Sequence, residues 1–241
     1  TPISNQIRHT WQGDVLDADI PTELHRALAA LAQTEGATLY MTLLSGLQAL
    51  LFHYTSQNDF CIGSVVSGRR QALTERLIGP FVNMLALRAD LKGDPSFRDL
   101  LRRVRHTMLE ALANQDLPFE ETIEGRSVPI QLVFVFHNQP MPVIQTGALR
   151  LEPTAVSLGA ARFDLTIDAQ ERGGGGIDVR LEFRSDAFDR DTIKQFFQAW
   201  VTLMESAVSN PEQRLSGLTL LDAAQEQTLL QEWSFDDEFG S

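Results

Sequence analysis

Five histidines and one cysteine are the side chains of this 241-residue sequence best suited to proton transfer, nucleophilic attack or soft-metal binding. A histidine that works as a general base needs a neighbouring carboxylate to orient it. His25 and His106 fall in segments with the apolar spacing of helices, His53 closes another, and His9 and His137 occupy loop or strand-end positions. None of the five is expected to have such a carboxylate, so each reads as a solvated or packed imidazole. Cys61 lies in the apolar run 60–66 and reads as a buried structural thiol. Neither a HExxH nor a CxxC pair occurs, so no metal is expected. The patterns GxGxxG, GxxxxGK[ST] and GxSxG are also missing, and the four glycines at 173–176 follow a polar turn rather than opening a helix. Nucleotide binding is not expected, and no cofactor is expected to be held by this chain.

The elements around these residues follow from periodicity. Residues 11–20 read as an edge strand ended by Pro21, and Leu24, Ala27, Leu28 and Leu31 then recur at helical spacing up to Gly36. Thr38 is placed to cap a second helix, whose seam includes Tyr40, Leu43, Leu44, Leu47, Leu51 and Tyr54. The run 60–66 is continuously apolar, as in a strand covered on both faces, and Ser67 begins a polar loop. Asp94 followed by Pro95 predicts a capped helix carrying Phe97, Leu100, Leu101, Val104, Met108 and Leu112.

Residues 130–136, IQLVFVF, read as an interior strand. Two alternating stretches, 163–168 and 177–183, flank the glycine run and predict an antiparallel hairpin whose carboxylates face Arg180. A last helix carries Ile193, Phe196, Phe197, Trp200, Leu203 and Met204 on one face before Pro211. The result is an α/β domain with a mixed sheet of at least five strands packed by helices.

The formal net charge of -12 repels polyphosphate and anionic lipid, so neither nucleic acid nor membrane is an expected partner. No run reaches the ~20 apolar residues of a bilayer span, and the opening residues lack the pattern of a signal peptide. The expectation is a soluble, cytoplasmic protein.

Three ordered stretches are more specific. Residues 38–69, TLYMTLLSGLQALLFHYTSQNDFCIGSVVSGR, resemble the part of nonribosomal peptide synthetase condensation domains that commonly ends in GTPVAGR. Residues 78–88, IGPFVNMLALR, are similar to that family's IGxFVNTLxLR, and residues 114–120, NQDLPFE, to its HQDxPFE with asparagine for histidine. The likeness runs from about residue 7 to 233, and 120–130 is shorter than the family's usual connection. The resemblance implies one lobe of a chloramphenicol acetyltransferase-like fold, in which two α/β lobes form a V. It makes residues 1–221 the C-terminal lobe and 222–241 an exit linker toward an adenylation domain, with the last four residues resembling a cloning remnant.

In the family a His-His-x-x-x-Asp-Gly motif in the N-terminal lobe assists attack of an acceptor amine on a donor thioester. Nothing here matches it, so this chain is expected to supply no catalytic residue and to be inactive alone. The implied partners are the N-terminal lobe, peptidyl and aminoacyl carrier proteins bearing 4'-phosphopantetheine, and an adjacent adenylation domain. By family position Asn83 lies near the cleft, where its carboxamide either donates to a thioester carbonyl or holds a loop. Ser67, Arg69 and Arg70 border the tunnel floor, where a guanidinium either meets a phosphopantetheine phosphate or forms a salt bridge. Gly79, Pro80 and Phe81 read as a turn entering a strand, and Gln115, Asp116 and Pro118 as architecture between two helices. Residues 138–159 correspond to a crossover that latches onto the other lobe. The rival readings are a noncatalytic platform recruiting carrier proteins or tailoring enzymes, an epimerization domain, and a coenzyme A-dependent acyltransferase of the same fold.

Overall fold

The structure is a computed structural model and describes residues 11–67, 77–79, 81–117, 119, 130–137, 144–152, 154 and 156–221. The elements run β1 (Gly13–Ile20), α1 (Thr22–Thr34), α2 (Leu39–Thr55), β2 (Asp59–Ser67), β3 (Val82–Asp90), α3 (Phe97–Ala113), β4 (Leu132–His137), β5 (Ile144–Thr146), β6 (Leu149–Leu151), β7 (Leu165–Glu171), β8 (Ile177–Arg184) and α4 (Arg190–Ser209). Six strands form one sheet in the order β1-β8-β7-β4-β2-β3, and β5 pairs with β6 apart from it. The strand β4 is parallel to both its neighbours, β2 and β7, while every other pairing is antiparallel. Its sequence, LVFVFH, explains the central place: a strand covered on both faces has no need of alternation.

Alternation elsewhere decides which face the helices cover. Leu165, Ile167 and Ala169 of β7 and Ile177, Val179, Leu181 and Phe183 of β8 are buried in one core with α1, α2, α3 and α4. At the centre Phe134 stacks on Tyr40 at 5.2 Å between ring centroids and meets the edge of Trp200 at 6.0 Å. Close packing there explains a glycine in the middle of α2. A Cβ on Gly46 would lie 2.9 Å from Met204 Cγ and 3.2 Å from Trp200 Nε1, so the helix accepts a poor helix former to let α4 approach.

The expected hairpin of β7 and β8 is present, with Gly175 and Gly176 at φ values of +93° and +85° that side chains rarely adopt. Arg180 stands opposite Asp168 in the register, and the charges of Asp168 and Glu182 favour its guanidinium. Nε and Nη2 donate to the two carboxylate oxygens of Asp17 on β1, at 2.7 and 3.0 Å. The hairpin's carboxylates face Arg180 as expected, and β1, on the other side of β8, adds the Asp17 fork that matches the guanidinium.

The cap of α3 is corrected. Ser96 rather than Asp94 is the N-cap, accepting from Asp99 N at 3.2 Å, and Pro95 precedes the helix. Asp94 has φ of 50° and instead receives the Ser216 backbone N–H at 2.9 Å and its hydroxyl at 2.6 Å, joining the start of α3 to the chain after α4. Among the described residues no helix is long and apolar enough to cross a membrane.

Candidate functional site

The three distinctive stretches converge at one end of the sheet. There β2 ends at Ser67 beside the start of β3, with Val66 opposite Asn83 and Ser67 opposite Val82. The helix α3 ends beside them, its last turn closed by Asn114 Nδ2 donating to Glu110 O at 2.9 Å and Gln115 Nε2 to Leu112 O at 2.8 Å. One side chain ties these segments together. Asn83 Nδ2 donates to the carbonyls of Gln115 and Leu117, each at 2.8 Å, and its Oδ1 accepts from Met84 N at 2.8 Å.

Both amide hydrogens of Asn83 are therefore spent on the 114–117 turn, and an asparagine has no third to offer a substrate carbonyl. The geometry makes Asn83 a residue that positions this turn. Gly79 is exposed, and among the described residues a Cβ there would meet Phe81 at 3.4 Å, an ordinary contact. Phe81 is half-buried, Ser67 and Asp116 are exposed, and Ile78 and Val82 present bare apolar surface beside them. Arg69, Arg70, Pro80 and Pro118 lie outside the described residues.

On the helix-covered side of the same end is a cavity of about 380 Å³. Leu39 and Met41 from the first turn of α2 line one side, Met108 and Leu112 from the last turns of α3 another. Val65, Phe136 and Glu171, near the ends of β2, β4 and β7, complete the described wall. Because these three strands run parallel, their carboxyl ends open together, which is where ligands bind in many α/β sheets. Inside it Tyr40 donates to Ser64 Oγ at 2.7 Å, and burial pushes its phenol up to about 12, with the Ser64 bond opposing that shift. A hydroxyl in an apolar helix seam and another in an apolar strand satisfy each other, a pairing that their isolated positions in the sequence do not reveal.

Three histidines expected to stand without a carboxylate have one. His25 Nε2 lies 2.9 Å from Glu171 Oε1, His106 Nε2 3.3 Å from Glu110 Oε1, and His137 Nε2 3.3 Å from Asp168 Oδ2. The first partner comes from a strand 146 residues away in sequence, and the last from the strand beside β4. Glu110 is four residues beyond His106 on one exposed helix face and is readable from the sequence alone. His25 fastens α1 to the hairpin, since Gly176 N also donates to its Nδ1 at 3.1 Å. His53 meets Leu215 O at 2.7 Å. Cys61 is only half-buried, with burial as the main cause raising its thiol above the ordinary value and Asp59 adding to it. A raised thiol is a weak nucleophile at neutral pH.

Comparison with known proteins identifies what these features belong to. The model of the family described as "Condensation domain" matches residues 4–230. A linear gramicidin synthase polypeptide from Brevibacillus parabrevis is 38% identical over 235 residues, covering 93% of this chain and 5% of the relative. A four-domain nonribosomal peptide synthetase bound to AMP and glycine superposes with a TM-score of 0.81 at 21% identity, over 90% of this chain and 18% of that one, which shows a shared fold. The X-domain from teicoplanin biosynthesis, also solved in complex with OxyB, superposes with a TM-score of 0.79 at 27% identity over 88% of this chain and 50% of that one. The chain is thus a small part of the length of its synthetase relatives and about half that of the X-domain chain. The mixed sheet with its layer of helices, the three converging stretches and these matches lead to one conclusion: the chain belongs to the condensation-domain family of nonribosomal peptide synthetases.

Proposed function

We propose that this chain is the C-terminal lobe of a condensation domain, shaping a cleft in which an amide bond forms between a donor acyl or peptidyl thioester and an acceptor aminoacyl thioester. Both reactants would arrive on 4'-phosphopantetheine arms of carrier proteins, with an adenylation domain following in the same polypeptide. The observation that carries this reading is Asn83, which joins the IGPFVNM and NQDLPFE stretches at the sheet end where Ser67 closes β2. A fixed wall of this kind positions reactants, and positioning alone accounts for much of the barrier lowering in transfer between two bound groups. Proton transfer is a separate need. The amine nucleophile must lose a proton, and no His-His-x-x-x-Asp-Gly motif occurs in these 241 residues, so the base comes from an N-terminal lobe in this proposal.

The test is amide formation between a loaded donor and a loaded acceptor carrier protein. This chain alone is expected to give no product above the uncatalysed background, and the two-lobed domain of the parent polypeptide to give the amide. Product from the chain alone at the rate of the two-lobed domain would sink the proposal. A second reading, a noncatalytic platform that recruits a partner enzyme, is favoured by the match to the X-domain and its complex with OxyB. Failure of the two-lobed domain to form amide while it retains a tailoring enzyme would select it.

A further inference from the structure

The cavity between α2, α3 and the strand ends has a charge pattern that its apolar walls do not require. Leu39, Met41, Val65, Met108, Leu112 and Phe136 are apolar, and Glu171 is the one charged side chain among its described lining. With a volume of about 380 Å³, the cavity sits at the lower end of the ~300–1,000 Å³ usual for small-molecule sites. Its two methionines have unbranched, adaptable side chains that conform to ligands of differing shape.

Glu171 is not neutralised by its partner. The Gly176 N–H donates to His25 Nδ1, so that nitrogen holds its lone pair and the ring proton sits on Nε2, which donates to Glu171 Oε1. A neutral imidazole steers the carboxylate and leaves its negative charge in place. The nearest cation in sequence, Arg172, is engaged with Asp19 and Asp178, each at 3.1 Å. Opposing the carboxylate is the first turn of α2, whose dipole amounts to roughly half a positive charge. That half charge is already partly met, because Met41 N donates to the Thr38 hydroxyl at 3.2 Å. A full carboxylate charge, 31% exposed, outweighs it.

We propose that this cavity binds a compact hydrophobic amine, an aryl or alkyl group seated among the apolar walls with its ammonium on Glu171. Oε2 of Glu171 accepts the ammonium hydrogen bond while Oε1 stays with His25. The free lone pairs of the Tyr40 and Ser64 hydroxyls offer a second polar contact. On the function proposed above, the source of such a group is an amino-bearing substituent of a carrier-bound substrate. That attribution rests on the condensation reading, whereas the ligand chemistry does not.

The test uses the 241-residue chain and an isosteric pair of probes, 4-phenylbutylamine and 4-phenylbutyric acid, titrated calorimetrically and followed by amide NMR shifts. The amine is expected to bind about fivefold more tightly than the acid, the size of effect a partly exposed ion pair supplies. Its shifts should centre on Ser64, Val65 and Leu112. Glu171→Gln should abolish the preference while leaving the apolar contribution, and Phe136→Trp, which fills the cavity from β4, should remove binding of both probes. Leu112→Phe fills it from α3 and serves if the first variant does not fold. Equal binding of the two probes, a preference for the acid, or amine binding that survives both filling variants overturns the proposal. The carrier-protein assay above can fail while the amine still binds, so the two readings fall separately.

Discussion

The two ends of α3 are held in opposite ways. At its N-terminal end Ser96 caps the helix, and the backbone N–H groups of Phe97 and Arg98 donate to Gln213 O and Pro211 O at 3.0 and 2.9 Å. Arg98 and Arg102 both reach Glu35, whose side chain is 7% exposed, at 3.2 and 3.3 Å. Asp94 binds Ser216, and Leu215 N donates to Pro95 O at 3.0 Å. Several distant segments thus brace one helix end. The C-terminal end instead borders a cavity, and the turn after it is fastened to the sheet by the carboxamide of Asn83. Redundant bracing absorbs the loss of any one contact, whereas at the other end one carboxamide makes two side-chain bonds from β3 to the turn, so its removal should act locally. That difference sets a structural end apart from an end available for function.

Three perturbations test this contrast. Phe97→Ala, at a fully buried position, should cost about 3–5 kcal/mol in urea denaturation. A loss below about 1 kcal/mol would show that the N-terminal end does not anchor the core. Asn83→Ala should cost only about 1–2 kcal/mol globally, the penalty of two carbonyls losing their donor. Its mark is local: amide exchange at Asn114 and Leu117 should quicken while Phe97 and Arg98 keep their protection, and equal acceleration at both ends would break the comparison.

Asp94→Asn should have the smallest effect. The Ser216 hydroxyl is the chief influence holding the Asp94 carboxyl below its ordinary value, with the Ser216 N–H, Arg214 and His53 assisting. A lowered folded value means that the bond stabilises fully above the unfolded value of about 4 and is lost as pH falls through the folded one. The substitution removes that part of the acid limb, so the stability curve below about pH 4 should flatten by roughly half a kcal/mol, as expected for an exposed pair. An unchanged acid limb would assign the bond no energetic weight.

These contrasts also show what can be read from the sequence. Elements with a strong period, such as the apolar face of α4 and the two alternating stretches around 173–176, need only local information. The N-cap of α3 is ambiguous locally because Asp94-Pro95 and Ser96 both fit a capping pattern, and only Ser216, 122 residues on, takes the aspartate away. Arg180 reads as facing its own hairpin's carboxylates, but its fork with Asp17 is not legible, because the placement of β1 next to β8 is a long-range fact. The three stretches are legible as types, but their joining by Asn83 is not, since the acceptors are backbone carbonyls that carry no residue signature. The Glu171 side of the cavity is hidden for the same reason as the Asp17 pairing: it depends on which strand ends lie side by side.

The pairing of β1 with β8 has a consequence for biosynthesis. Gly13 lies opposite Arg184 and Ile20 opposite Ile177, so β1 waits for more than 150 residues of the following chain before β8, its neighbour in the sheet, is made. During synthesis at roughly 5–20 residues per second that wait lasts on the order of ten seconds or more, with an unpaired strand open to other nascent chains. Charge on such an edge discourages strand-to-strand aggregation. Asp14, Asp17 and Asp19, which in the folded protein meet Arg190, Arg180 and Arg172, stand unpaired until those arginines are made. The same three carboxylates therefore serve in turn as solubilising charges on the ribosome and as the sheet-edge ion pairs of the folded chain.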